Sequence, residues 1–344
     1  MKLIVVTQHV DPDHPSLGAT VHKLRALAAR VDELVVLADG AVSGALPSGA
    51  RVRLFGARTR AGRGLRFVRA LSAELRGADA VLAHMCPIYA VLAAPLARPR
   101  GVRVLLWYTQ WHASPTLRAA ERAATRVLSV ERASFPIPSG KLDAIGHGID
   151  ADELACRGAD PAGPGLTLLA LGRYSPVKGY ATILRGVGEA VARGLDVRLA
   201  VHGPVSNEGE RHHREDLSRL ADELGLGRRV VLGEALPRPQ ALASLARSNV
   251  LVSATVRGAA DKVVLEAALS CMPALVPELA FVSLVPDELR FRADDPASLA
   301  DALERYARLG SEERQRLGET LRERALAGHS VDSWADAVVR AASA

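Results

Sequence analysis

The chain has 344 residues, 49% of them hydrophobic and 24% charged, with a formal net charge of +6. That length suits two domains of about 150 residues better than one core, and the composition excludes a disordered chain. Aromatic residues make up only 4% and no basic run is interleaved with them, so the stacking platform of a nucleic-acid binder is missing. The positive charge points instead to an anionic ligand or surface. No apolar run approaches the ~18 residues of a membrane span, and residues 1–7 read as a buried first strand and not as a signal peptide. The expected location is therefore the cytoplasm. Cys86, Cys156 and Cys271 are widely spaced, without a pairing or metal-ligand pattern, so three reduced thiols are expected.

In the first half, apolar strands alternate with amphipathic helices. Strands are expected over 3–6, 34–37, 52–55, 80–83, 102–108, 127–130 and 142–145, and helices over 19–30, 66–75, 88–96 and 116–124. Val21, Leu24, Leu27 and Val31 show the helical period. This βα alternation predicts a doubly wound parallel sheet, whose ligands bind at the carboxyl ends of the strands. Three histidine-bearing loops fall there: His9, Asp11, Asp13, His14 and Gly18 after the first strand, His84 after 80–83, and Thr109, Gln110, Trp111 and His112 after 102–108. Asp11-Pro12-Asp13 resembles a metal-binding pair, but its place in the first loop favours a turn, and no metal is expected.

The segment 145–150, Ile-Gly-His-Gly-Ile-Asp, closes this half, and the Pro- and Gly-rich stretch 156–165 reads as a linker. The pattern then restarts. Strands are expected over 166–171, 197–201, 230–232 and 250–252, with helices over 180–192, 217–224 and 240–246 and one opening at 262 or 263. Short segments at 274–276 and 280–285 and helices over 296–307, 312–325 and 331–342 finish the chain. Two doubly wound domains facing each other would leave a cleft, the expected site.

Two strand ends in the second half carry the chemistry. After 166–171 come Gly172 and Arg173, with Lys178 five residues on. An arginine fork and a mobile lysine leaving one strand end suit a diphosphate. After 250–252, a loop of small residues leads into a helix whose free N–H groups suit a phosphate. Glu266 lies one turn into that helix, where a carboxylate is placed for two ribose hydroxyls or, more plainly, for the helix dipole.

Gly172-Arg173, Lys178-Gly179, His202-Gly203-Pro204 and Asp261-Lys262-Val263-Val264-Leu265-Glu266-Ala267 with Pro273, in that order, resemble glycosyltransferase family 4. Gly18, Trp107-Tyr108-Thr109 and His147-Gly148-Ile149-Asp150 agree with it, so the likeness runs over nearly the whole chain. The resemblance implies a GT-B architecture of two Rossmann-like domains, 1–155 plus 331–344 on the acceptor side and 156–330 binding the donor. It implies retaining, metal-independent transfer from a nucleotide-diphosphate sugar to a hydroxyl acceptor, small or lipid-linked, with no further cofactor. Arg173 and Lys178 would hold the diphosphate, Glu266 the ribose, and Gly258, Ala259, Ala260, Asp261 and Lys262 the sugar and phosphate. His202, Gly203 and Gly18 would complete the donor site. Gly258 stands where relatives often carry a glutamate and Gln110 where many carry a histidine, so Gln110 and His112 are the candidates at the reaction centre. His9, Asp13 and His84 would line the acceptor side. Two other readings stay open: a nucleotide-sugar-binding pseudo-enzyme, motivated by Gly258 and Gln110, and a nucleotide-sugar epimerase, for which no carboxylate pair is evident. The arginine series Arg58, Arg60, Arg63, Arg66 and Arg69 suggests peripheral contact with an anionic membrane, on its inner face.

Overall fold

A computed structural model describes residues 1–12, 14, 17–110, 112–152, 154–156, 161, 165–255 and 261–344. The chain divides into two compact units, 1–150 with 328–344, and 151–327. Each has the Rossmann-like form of a GT-B protein.

The first unit contains β1 (Lys2–Val10), α1 (Ala19–Ala28), β2 (Glu33–Ala41), β3 (Ala50–Leu54), α2 (Arg60–Glu74), β4 (Ala80–His84), α3 (Pro87–Ala97), β5 (Arg103–Trp107), α4 (Pro115–Ala123), β6 (Arg126–Ser129) and β7 (Leu142–Ala144). Its sheet runs β3-β2-β1-β4-β5-β6-β7, with parallel pairings throughout the described residues. Leu3, Ile4, Val5 and Val6 are all buried, because helices cover both faces of such a sheet. Two of the differences from the expected boundaries matter for function. β1 continues to Val10, since His9 and Val10 pair with Gly40 and Ala41 of β2; His9 thus sits on a strand, not in a loop. α2 begins at Arg60, where the Thr59 hydroxyl accepts from the Gly62 amide at 3.1 Å, a side-chain cap. Gly62, Gly64 and three arginines dilute the apolar period there and hide the first turns.

The second unit contains β8 (Leu166–Leu171), α5 (Tyr180–Ala192), β9 (Val197–His202), α6 (Glu208–Glu223), β10 (Val230–Gly233), α7 (Arg238–Arg247), β11 (Val250–Val252), α8 (Lys262–Leu269), β12 (Ala274–Pro277), β13 (Arg290–Phe291), α9 (Pro296–Arg308) and α10 (Ser311–His329). α11 (Val331–Ser343) belongs to the first unit. The second sheet runs β10-β9-β8-β11-β12-β13. α6 starts at 208, well before 217, because Asn207 caps it by accepting from the Glu210 amide at 3.0 Å. Its first half is almost wholly polar, with only Glu210 buried. The segment 280–285 forms turns; the edge strand is β13.

The expectation of three reduced thiols is corrected: Cys156 and Cys271 form a disulfide, leaving Cys86 buried and free. The two are 115 residues apart in sequence, so only the folded chain brings them together. The bond ties the start of this unit to the C-terminal end of α8. A disulfide typically contributes about 2–4 kcal/mol.

A second correction concerns His84, expected on the acceptor rim. All five residues of β4 are buried, and His84 is 4% exposed. Its ring stacks on Trp107 with centroids 4.8 Å apart, and Trp334 of α11 meets both edge-on. The Lys23 ammonium lies 3.9 Å from the Trp107 ring centroid, a cation–π contact. Although His84 ends its strand, its ring is covered by Trp107, Trp334 and Lys23 and so does not face the loops after β4.

Burial holds His84 well below the ordinary imidazole range, and the Lys23 charge adds to the shift. Burial also lowers His329 to about 4. Both rings are neutral in the folded chain, while the unfolded chain takes up their protons as pH falls through about 6.5. Stability from these groups is therefore complete above that pH and declines below it, by roughly 1.4 kcal/mol per pH unit for each ring until the folded value is reached. Urea unfolding is expected to show a decline from about pH 6.5 toward pH 4 that becomes shallower in His329→Gln. An unchanged slope in that variant would contradict the assignment.

Candidate functional site

In the second sheet the strand order reverses between β8 and β11, and at such a switch point the loops leaving the carboxyl ends open a crevice for a ligand. Two glycines let these loops meet. A Cβ on Gly203, just after β9, would overlap the Gly172 carbonyl oxygen at the end of β8. Gly179 opens α5 in the left-handed region, at φ 65°, and a Cβ there would overlap the Ala254 carbonyl after β11. The Gly172 amide donates to His202 O at 3.0 Å, and the Tyr180 hydroxyl donates to Gly172 O at 2.8 Å. The loops after β8, β9 and β11 are thus locked by backbone contact, which makes their side-chain geometry specific.

That lock places the cations. Lys178 Nζ lies 2.8 Å from Asp261 Oδ2, and the same oxygen accepts from Thr255 Oγ1 at 2.8 Å and Ser253 Oγ at 3.1 Å. Asp261 is 9% exposed, so three donors compensate its desolvation. Arg173 Nη1 donates to Glu210 Oε1 at 2.9 Å, and Glu210 Oε2 accepts from the Ser206 amide at 2.7 Å. The Arg173 side chain is 58% exposed, its fork held at one nitrogen. Glu266 Oε1 takes Arg238 Nη1 at 2.7 Å and Lys262 Nζ at 3.1 Å, with the glutamate 6% exposed. His202 Nδ1 is 3.2 Å from Glu234 O. This rim can bind a polyanion: a diphosphate can exchange with the carboxylates that now partner the cations.

Of the residues expected at the donor site, Arg173, Lys178, His202, Gly203, Asp261, Lys262 and Glu266 share this rim. Gly258, Ala259 and Ala260 lie outside the described residues, as does Asp13. In the first unit Gly18 caps α1, and its amide donates to His14 O at 2.9 Å. The His9 ring stacks on His14 with centroids 5.5 Å apart. Gln110 accepts from the Tyr108 hydroxyl at 3.1 Å, and His112 is exposed. His9 lines a cavity of about 420 Å³ with Gln8, Asp39, Arg63, Met85 and Tyr89 among others; Gln110 and His112 are not among its lining residues. Glu210 and Arg238 were not anticipated. Arg238 follows the strand-end rule once that rule is applied to the loop after β10. Glu210 gave no signal, because its helix was expected to begin later.

Residues 165–308 match the family model described as Glycosyl transferases group 1. No curated protein matches the chain by sequence. Among solved structures the chain is similar to a glycosyltransferase from Rickettsia africae, with a TM-score of 0.76, 11% identity, and 99% of this chain and 97% of that chain covered. It is similar to Anabaena HepE in complex with UDP, at TM-score 0.75 and 16% identity, with both chains covered completely. It also resembles sucrose-phosphate synthase from Thermosynechococcus elongatus, at TM-score 0.71 and 17% identity, covering 99% and 98%. At these identities the likeness shows the fold, and the family match covers the unit that carries the cation rim.

Gly203→Ala should destabilise the protein by about 1–3 kcal/mol in urea unfolding, the usual effect of overpacking. Gly140→Ala, at a glycine with open space around its Cβ position, serves as the control. A Gly203→Ala protein as stable as the control would mean that the loops are not locked.

Proposed function

We propose that the chain is a retaining glycosyltransferase that moves a sugar from a nucleotide-diphosphate donor to a hydroxyl acceptor without a metal ion. The observation that carries this reading is the gathering of Arg173, Lys178 and the start of α8 at one topological switch point, within the residues that match the group 1 family. Arg173 and Lys178 take the diphosphate, the α8 N-terminus adds its free amides, and Glu266 accepts the ribose hydroxyls. HepE has been crystallised with UDP and with UDP-glucose, which makes a uridine donor the first to test.

In the transfer, the bond between the anomeric carbon and the diphosphate breaks as the acceptor oxygen bonds to the same face. The acceptor proton passes to the departing phosphate oxygen, so configuration is retained. Charge develops on the leaving diphosphate, and pre-placed cations stabilise it more than they stabilise the bound donor. That is why the protein's own cations suffice for the role a metal often fills. Gln110 and His112, after β5, are the candidates at the reaction centre. The acceptor is a soluble or lipid-linked hydroxyl compound. Exposed Leu54 and Leu65 accompany Arg58, Arg60 and Arg66, and this is the surface that would meet an anionic lipid layer on the cytoplasmic side.

Arg173→Ala and Lys178→Ala should each lower turnover with a UDP-sugar by roughly 10²–10³-fold, matching the loss of about 3–4 kcal/mol for one well-placed donor. Turnover is read as UDP release, including slow donor hydrolysis in the absence of acceptor. Losses within about threefold of the unsubstituted protein would contradict the assignment.

A further inference from the structure

Arg173 and Lys178 are each held by a buried carboxylate, but the two pairs differ in what remains when the cation leaves. Asp261 Oδ2 accepts from Ser253 and Thr255 as well as from Lys178. Withdrawal of Lys178 therefore leaves that oxygen with two hydroxyl donors. Glu210 is 4% exposed, and its oxygens have one donor each: the Ser206 amide on Oε2 at 2.7 Å and Arg173 Nη1 on Oε1 at 2.9 Å. Among the described residues no other donor reaches Oε1. Withdrawal of Arg173 thus leaves one oxygen of a desolvated charge unpaired, which is costly.

Local structure keeps Glu210 from following the guanidinium. Asn207 caps α6 by accepting from the Glu210 amide at 3.0 Å, which sets Glu210 at the third position of the helix. Its carboxylate turns back onto the amide of Ser206, the residue before the cap. This is a capping box displaced by one residue, and it anchors both the backbone and Oε2. The root of Arg173 is anchored too. Tyr174 is fully buried, its hydroxyl donates to Val201 O at 3.2 Å and Gly233 O at 2.8 Å, and its amide donates to Pro204 O at 3.3 Å. What is left to move is the Arg173 side chain, 58% exposed.

We propose that Glu210 is a positioning residue that competes with the nucleoside diphosphate for Arg173 and recovers the guanidinium as that product departs. The inference rests on the glycosyltransferase reading, which puts the diphosphate on Arg173. A nucleoside diphosphate carries more negative charge than the nucleotide sugar it comes from, so two cations given up to it would retain the product more strongly than the donor. Release is the slow step of many enzymes. Lys178 can stay with the ligand, because Asp261 keeps its hydroxyl donors. The unpaired Oε1 of Glu210 instead draws Arg173 back, and the product complex is weakened without any cation being lost from the transfer step.

Isothermal titration calorimetry with UDP, GDP and ADP identifies a nucleotide that the unsubstituted protein binds. The same nucleotide is then titrated into Glu210→Gln, Arg173→Ala and the double variant. Glu210→Gln is expected to bind it about three- to tenfold more tightly, with correspondingly slower release in stopped-flow displacement. The glutamine carbonyl can still accept from Ser206, and a damaged site would bind more weakly, so the direction of the change separates competition from a structural role. In the Arg173→Ala background the same substitution should change affinity by less than about twofold, because the contested group is gone. Circular dichroism and one-to-one stoichiometry identify folded protein, and Glu210→Ala takes the place of the glutamine variant if that one does not fold. Unchanged or weaker binding in the folded variant, or an equal gain without Arg173, overturns the role of Glu210 alone. Failure of all three nucleotides to bind the unsubstituted protein removes the nucleotide-diphosphate reading of the rim, and this inference with it.

Discussion

Backbone contact between three strand-end loops is the constraint on which the second unit depends. The Gly172 carbonyl occupies the place a side chain at 203 would need, and the Ala254 carbonyl occupies the place of one at 179. Loops that touch through their main chains have few alternative arrangements, since close-packed interiors resist small shifts. Arg173, Lys178 and Asp261 are therefore displayed from a rigid frame, although each lies outside regular strands. This is the pre-organisation that electrostatic catalysis requires: charges fixed before the reaction need no reorganisation during it.

The same rim is balanced in charge. Asp261, Glu210 and Glu266 are buried, and each has a cation against it. Removing only one partner of such a pair leaves a desolvated charge and is strongly destabilising. A polyanion can instead draw Arg173 and Lys178 away from their carboxylates while the Ser206 amide stays on the other oxygen of Glu210 and Ser253 and Thr255 stay on Asp261 Oδ2. The hydroxyl and amide donors thus let the cations be shared with a ligand.

Much of this was legible in the sequence. Apolar runs such as Leu3–Val6 and Leu166–Leu171 gave the parallel strands, because a strand buried on both faces has no polar alternation to obscure it. Arg173 and Lys178 stand out in the sequence as candidates because strand-end position and residue chemistry agree, and Glu266 because it lies one turn into the helix after β11. What was hidden depended on tertiary contact. Nothing in the spacing of Cys156 and Cys271 announces a bond across 115 residues. Glu210 lies in a helix start that is polar on all sides, where hydrophobic period carries no signal. His9 and His84 look like loop residues in the sequence, which does not record that pairing with β2 extends β1 or that α1 and α11 cover the end of β4.

The most direct measurement of the central claim is hydrogen exchange with and without saturating UDP. The account predicts slowed exchange together in peptides covering 172–180, 203–211 and 262–269, since one ligand engages loops that are locked to one another. Protection confined to a single one of these segments, or found only in the first unit, would contradict it.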